Sequence, residues 1–315
     1  GNRLVYQSDT KIARVIGNAK MTDGKMILTA PEFIYHRNLA YGMYLQNGKI
    51  VDEENVLTSE RGYYYSNSKR AEFSRNVIVT NPEYVLNADS ISYDTRKRIV
   101  YFSVPTTMKT IRNEKMYAES GEYHSQTAEL FLQKKGQIQD SSFVMKGDTL
   151  YYNDSLDYGW GRGHVQVFST DSAMAIFGNT GTFRRKTKES ILTGDPWMVQ
   201  IMETDTLVLL ADTLFAVNDS IRGNRKTRAF HHVRFQMREM QGICDSIEYN
   251  LQDSIMVLYR DPVIWADKNQ VTGDTLVIWL KNKQADSLNV LQNAFVISQE
   301  DSLHFNQIKG KRIFG

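Results

Sequence analysis

The sequence predicts an all-β protein built from stacked antiparallel repeats. Three observations predict it: a short phrase that returns about every thirty residues, turn signals between the β-forming runs, and the lack of any long, well-capped stretch with a 3.6-residue apolar period. The phrase is a small residue, then an acid or amide, then a β-forming run. Ala88-Asp89-Ser90-Ile91-Ser92-Tyr93 is the clearest copy. Further copies begin at Gly147, Ala211, Cys244 and Gly273, and weaker ones at Ala30, Ser59, Ala118 and Gly178, so that starts lie 29 to 33 residues apart. Insertions of a few residues fit loops growing on a fixed frame.

Each element of a unit has a local reason. In Asp148-Thr149-Leu150-Tyr151-Tyr152, β-branched and aromatic residues favour an extended chain. Asn153-Asp154-Ser155, Asn218-Asp219-Ser220 and Asn250-Leu251-Gln252-Asp253-Ser254 are turn signals. Short runs such as Val77-Ile78-Val79, Val165-Gln166-Val167 and Val233-Arg234-Phe235 then resume the period of two of half-buried strands. Met108 to Ala118 is the best helical candidate, and it reads equally well as a polar connection. Gly159-Trp160-Gly161-Arg162-Gly163 has no helix after it and reads as a bend or bulge. Two facing curved sheets or a β-solenoid satisfy this pattern. The array spans 1–315 as about ten units, begins and ends partway through a unit, and allows a division into two tandem rolls near 165–185.

The marker strand has two faces. The position two after the acidic slot reads Phe33, Gly62, Ile91, Gly121, Leu150, Gly181, Leu214, Ile247 and Leu276. Two further on it reads Tyr35, Tyr64, Tyr93, Tyr123, Tyr152, Phe183, Ala216, Tyr249 and Ile278. Alternation along a strand puts both columns on one face, which carries no charge in any copy. An apolar and aromatic stripe should therefore run along the array. In the first six copies the first column alternates a bulky residue with glycine. That pattern fits an interdigitated core, and it also fits space left for a guest.

Composition narrows the function classes. There are 38 basic and 36 acidic residues, a balance that speaks against a general nucleic-acid binder. The single cysteine, Cys244, excludes an intrachain disulfide and sits in the small slot of its copy, a packing position. No Walker loop, dinucleotide fingerprint, His-Glu-x-x-His or Gly-x-Ser-x-Gly occurs. His231 and His232 are adjacent, which on a regular strand would send them to opposite faces. With six histidines and one cysteine, no metal site and no cofactor are expected. The acids of the marker, among them Glu60, Glu119, Asp212, Asp245 and Asp274, read as turn caps and strand-entry hydrogen-bonders.

Arg75-Asn76-Val77-Ile78-Val79-Thr80, followed by Leu86-Asn87-Ala88-Asp89-Ser90-Ile91-Ser92-Tyr93-Asp94, resembles the phrase of the OstA-like family, which includes LptA, LptC and the periplasmic part of LptD. Gly17-Asn18-Ala19-Lys20 and Gly163-His164-Val165-Gln166-Val167 are partial copies, and the frequent Asp-Ser/Thr-Leu/Ile variant resembles the Bacteroidetes-type version. The resemblance implies a repetitive antiparallel β-jelly roll whose two curved sheets form an open groove. It implies a non-enzymatic periplasmic carrier that holds the acyl chains of lipid A, the anchor of lipopolysaccharide, and bridges toward the outer membrane. Partners would be lipopolysaccharide and other Lpt-type jelly rolls stacked by edge strands, with head-to-tail self-association as a further option. On this reading the groove is lined by Phe33, Tyr35, Tyr64, Ile91, Tyr93, Tyr123, Leu150, Tyr152, Phe183, Leu214, Ile247, Tyr249, Leu276 and Ile278. Arg96, Lys97, Arg98, Arg184, Arg185, Arg225 and Lys226, with Lys281 and Lys283 nearby, form a basic rim suited to phosphate or simply solvated turns. The alternative from a different class is a structural β-repeat scaffold with a filled core.

Overall fold

The computed structural model describes residues 1–22, 26–170, 173–202, 205–219, 224–281, 284–301 and 303–315. Ser220 of one expected turn and Lys283 of one basic cluster lie outside them. Among the described residues there is no helix, and every strand pairing is antiparallel. The chain is all-β, as the thirty-residue phrase predicts. Its contacts gather into two compact units, Gly1–Ser141 with Asp148–Leu156, and Ser142–Gly147 with Asp157–Gly315. The changeover thus falls within 142–157.

In the first unit, long strands serve two layers and short strands serve one. Tyr41–Tyr44 and Arg61–Tyr65 pair with each other, with the second half of Met26–His36, and with the first half of Arg70–Thr80. Gly48–Asp52 and Asn55–Ser59 pair with each other and with the remaining halves of those long strands. Ile99–Phe102 with Ser120–His124, and Thr106–Thr110 with Lys115–Ala118, repeat the alternation. The layers face one another: Tyr84 and Tyr123 belong to different layers, yet their rings meet edge-on at 5.3 Å. The second unit follows the same scheme. Glu189–Thr193 with Thr213–Asp219 lies in one layer, and Trp197–Ile201 with Thr206–Leu210 in the other. Phe143 and Phe183 meet at 6.3 Å inside it.

The helical option for 108–118 is overturned. The segment forms two paired strands with a turn at Asn113, where φ is 63°. Met108 faces Met116 in the register and both are buried, which is a period of two rather than of 3.6.

The bend between layers explains the marker's acid. Long strands fold where two consecutive residues take positive φ, as at Gly17-Asn18, Arg75-Asn76, Lys134-Lys135, Gly163-His164, His231-His232 and Gln292-Asn293. The pairing register shifts there, for example between Ser74 and Val77 and between Phe230 and Val233. Left-handed backbone is costly for residues with a side chain, so something must hold it. The acidic slot of the neighbouring strand does so twice. Its N–H donates to the bend carbonyl: Glu60 to Arg75 at 3.0 Å, Glu119 to Lys134 at 3.0 Å, Asp274 to Gln292 at 3.2 Å. Its carboxylate accepts from the bend side chain: Asn76 on Glu60 at 2.7 Å, Lys135 on Glu119 at 2.6 Å, Asn293 on Asp274 at 3.0 Å. His232 and His231 likewise bind Asp212 and Asp245, so they belong to a bend and not to a regular strand. The Gly159–Gly163 run pairs regularly as far as Arg162 and ends in one such bend at Gly163-His164.

The opposite edge is a ladder of turns. The N–H groups of Ser66, Thr95 and Ser125 donate to the carbonyls of Ala40, Lys69 and Arg98 in the preceding turn, at 2.9, 3.0 and 3.1 Å. Asn153 closes its own turn by accepting from the Leu156 N–H.

Glycine positions in the first column are filled by large side chains from neighbouring strands. Tyr44 lies opposite Gly62, and a Cβ on Gly62 would collide with that ring. Phe102 lies over Gly121 in the same way. Gly181 is closed by Leu192 and Val165. Large and small residues interdigitate, and the glycines themselves leave no room for a guest.

Candidate functional site: an apolar interior cavity

Both columns read from the sequence lie in one layer of their unit and point inward. Phe33, Ile91, Tyr123, Leu150, Tyr152, Phe183, Leu214, Ile247, Tyr249, Leu276 and Ile278 are buried. Tyr35, Tyr64 and Tyr93 are half-buried. The columns part company in what surrounds them. In the first unit a cavity of about 80 Å³ runs between the layers. One wall is the column side, with Phe33, Gly62, Tyr64, Ile91 and Tyr93. The facing wall is Leu28, Ile50, Leu57 and Val79. Polar lining is confined to strand ends and turns, at Asp52, Asn55, Thr95 and Ser125.

The interior of the second unit is packed. Leu214 and Leu276 are 0% exposed and Ile278 is 1% exposed. The interior space found beside Phe143, Met174 and Ala216 is about 20 Å³, the room of a single water.

The facing wall was not singled out by the columns. Its residues sit in runs that lack the marker phrase. The period-two alternation of Val77 and Val79, both buried, is the sequence signal from which it could be found.

Electrostatics inside the first unit follow from burial. The Tyr44 hydroxyl is pushed up to about 12 by desolvation, against a 2.6 Å hydrogen bond with Ser59 that acts the other way. Tyr84, Tyr93 and Tyr123 are raised as well, each mainly by burial. These phenols remain neutral at neutral pH, and the one acidic side chain in the lining, Asp52, stands at a strand end. Burial pushes the Cys244 thiol up to about 12, in keeping with a packing role.

The basic candidates occupy different surroundings. Arg96 and Lys97 are exposed in a turn whose N–H groups cap Asp94 at 3.0 and 2.9 Å. Those N–H groups, that of Lys97 first, hold the Asp94 carboxyl below its usual range. Arg98 reaches Glu53 at 3.4 Å. Arg184 lies over the Tyr158 ring at 5.6 Å, and Arg185 approaches the largely buried Asp157 at 3.8 Å. Arg225 and Lys226 are half-buried in Asn224–Gln236. Among the described residues no three His, Cys, Asp or Glu side chains gather as a metal site would need.

A two-layer β-roll with a predominantly apolar interior defines a class, that of carriers or scaffolds built on burial rather than on reacting groups. Comparison with known proteins finds similarity in two stretches of the chain. Residues 1–89 match the model described as OstA-like protein, and residues 175–285 match that of the LptA/(LptD N-terminal domain) LPS transport protein. Two separate stretches of the chain therefore resemble OstA-like and LptA/LptD N-terminal domains. Among solved structures, the chain is similar to LptH, the LptA homologous periplasmic component of the lipopolysaccharide transport device from Pseudomonas aeruginosa, at 13% identity and a TM-score of 0.22, over 53% of this chain and 93% of that one. No curated protein matches it.

Proposed function

We propose that the protein is a non-enzymatic periplasmic component of lipopolysaccharide transport, and that its first unit holds the acyl chains of lipid A. The observation that carries this is the apolar cavity between Leu28, Ile50 and Val79 on one side and Phe33 and Ile91 on the other, which at about 80 Å³ is the place where the layers would part to admit a chain. An acyl chain needs a long uncharged lining and little else, because burial is non-directional and contributes about 25 cal/mol per Å². The half-buried Tyr64 and Tyr93 mark the margin of the cavity. The filled interior of the second unit favours the scaffold role for that unit. Bridging toward the outer membrane, with other jelly rolls or further copies stacked on strand edges, completes the reading. Leu4 and Tyr6 on Arg3–Gln7 are exposed apolar residues suited to such a contact.

Photo-crosslinking tests the assignment. A photoreactive residue at Tyr64 or Tyr93 should capture lipopolysaccharide, and one at Leu214 or Ile278 should not. Capture at all four positions would make the second unit a carrier too, and capture at none would overturn the acyl reading.

The rim carries a separate prediction. Arg96→Glu with Lys97→Glu should weaken binding of bisphosphorylated lipid A several-fold at low salt and leave dephosphorylated lipid A unaffected. Equal affinities of variant and parent for the phosphorylated form would reduce these residues to solvated turn positions.

A further inference from the structure

We propose that the outer face of the first unit carries a saccharide-binding trough, on the side of the sheet opposite the cavity. A surface depression of about 540 Å³ lies over the strands Arg61–Tyr65, Arg70–Thr80, Tyr84–Asp94, Ile99–Phe102 and Ser120–His124. Its floor is serine, with Ser74, Ser90 and Ser92 on adjacent strands and Ser103 and Ser120 beside them. Its walls are Tyr63 and Tyr101, both half-buried.

The register fixes the spacing of the walls. Tyr63 pairs with Glu72, Glu72 with Ser92, and Ser92 with Tyr101. Three strand spacings separate the two rings, or about 14 Å, which is room for roughly two pyranose rings between them. Arg70 fixes one side. Its Nε donates to the Ser92 hydroxyl at 2.7 Å, and its guanidinium sits 5.8 Å from the centre of the Tyr101 ring. Glu72 and Glu122 line the same depression, and Glu122 also meets the His124 ring nitrogen at 2.9 Å. Among the described residues, the hydroxyls of Ser74, Ser90 and Ser103 make no hydrogen bond to another protein group, so donors and acceptors stand open at the floor.

The chemistry selects the ligand class. A peptide cannot add as a strand, because the strands beneath the trough are paired on both sides. A phosphate or a nucleic acid meets two carboxylates against one guanidinium. An acyl chain would bury open hydroxyls without partners. A pyranose suits all the parts. One face of the ring presents C–H groups to the negative face of a tyrosine, and its rim hydroxyls meet serines and carboxylates that both donate and accept. This site stands independently of the acyl cavity, since it uses the opposite face of the same strands.

Amide chemical-shift titration of the full chain tests it, with two probes: deacylated lipopolysaccharide core oligosaccharide and chitotetraose. Saturable shifts confined to the trough strands are expected with at least one probe. A response to the first alone assigns the sugars of the lipid, and a response to the second alone assigns a cell-wall glycan. Tyr101→Ala should weaken the responding probe at least about 10-fold, a loss of the size expected when one anchoring contact goes. Ser90→Leu, which fills the floor, should do the same, and it carries the test if Tyr101→Ala melts early. No localised shift with either probe up to about 10 mM, or unchanged affinity in a folded Ser90→Leu variant, overturns the proposal.

Discussion

Gly62→Val is expected to destabilise the first unit by about 2–4 kcal/mol, although valine is the better strand former. The position leaves the Tyr44 ring no alternative. The ring lies directly opposite Gly62 and also covers Gly48. Its hydroxyl is tied to buried Ser59 at 2.6 Å, and Tyr44 is 1% exposed. A side chain at Gly62 must therefore break that hydrogen bond or drive the ring into the cavity. Tyr44→Ala alone should cost about 3–4 kcal/mol, through the void and through the partner lost to Ser59. The double variant should cost clearly less than the two singles added, because each change makes space for the other. Chemical denaturation of the four proteins measures this coupling. Additivity within about 0.5 kcal/mol would mean that the ring does not occupy the glycine's space. A propensity argument alone predicts the opposite sign for Gly62→Val, so that variant separates packing from propensity.

Some of this was open to a reading of the sequence and some was not. The marker phrase locates strands because an uncharged column with period two survives every copy, from Phe33 to Leu276. It locates only one wall. Leu28, Ile50 and Leu57 stand in runs with no marker, and only the layer pairing brings them opposite Phe33 and Ile91. The bends hide for a related reason. Gly-Asn, Arg-Asn, Lys-Lys and His-His share no side-chain chemistry, and only their positive φ unites them. The acidic slot acts through the fold, where Glu60, Asp212 and Asp274 hold those bends. Open and filled interiors cannot be told apart from the columns, because Ile91 and Ile247 read alike. The difference lies in the side chains across the layer gap, where Met198 and Leu209 in the second unit are fully buried.

That filled interior has its own test in Leu214→Asp. Leu214 is 0% exposed and lies between Leu192 and Ala229 on the neighbouring strands. At pH 7 the change should cost more than about 4 kcal/mol, since an unpaired carboxylate would enter a dry apolar layer. The pH dependence identifies the cause. Burial disfavours the charged form, so the folded-state pKa of the new aspartate rises above its unfolded value of about 3.9. Below that unfolded value the group is neutral in both states and the penalty is smallest. The penalty grows as pH rises through the unfolded pKa, and it levels off once pH passes the raised folded pKa. The gap in urea midpoint between the variant and its parent should therefore be wider at pH 7 than at pH 4. Leu214→Asn, which cannot titrate, should show a constant gap. An aspartate variant whose deficit is the same at both pH values would mean that water already reaches Leu214. The second unit would then be a groove as well, and the division of labour between a carrying unit and a filled one would fail.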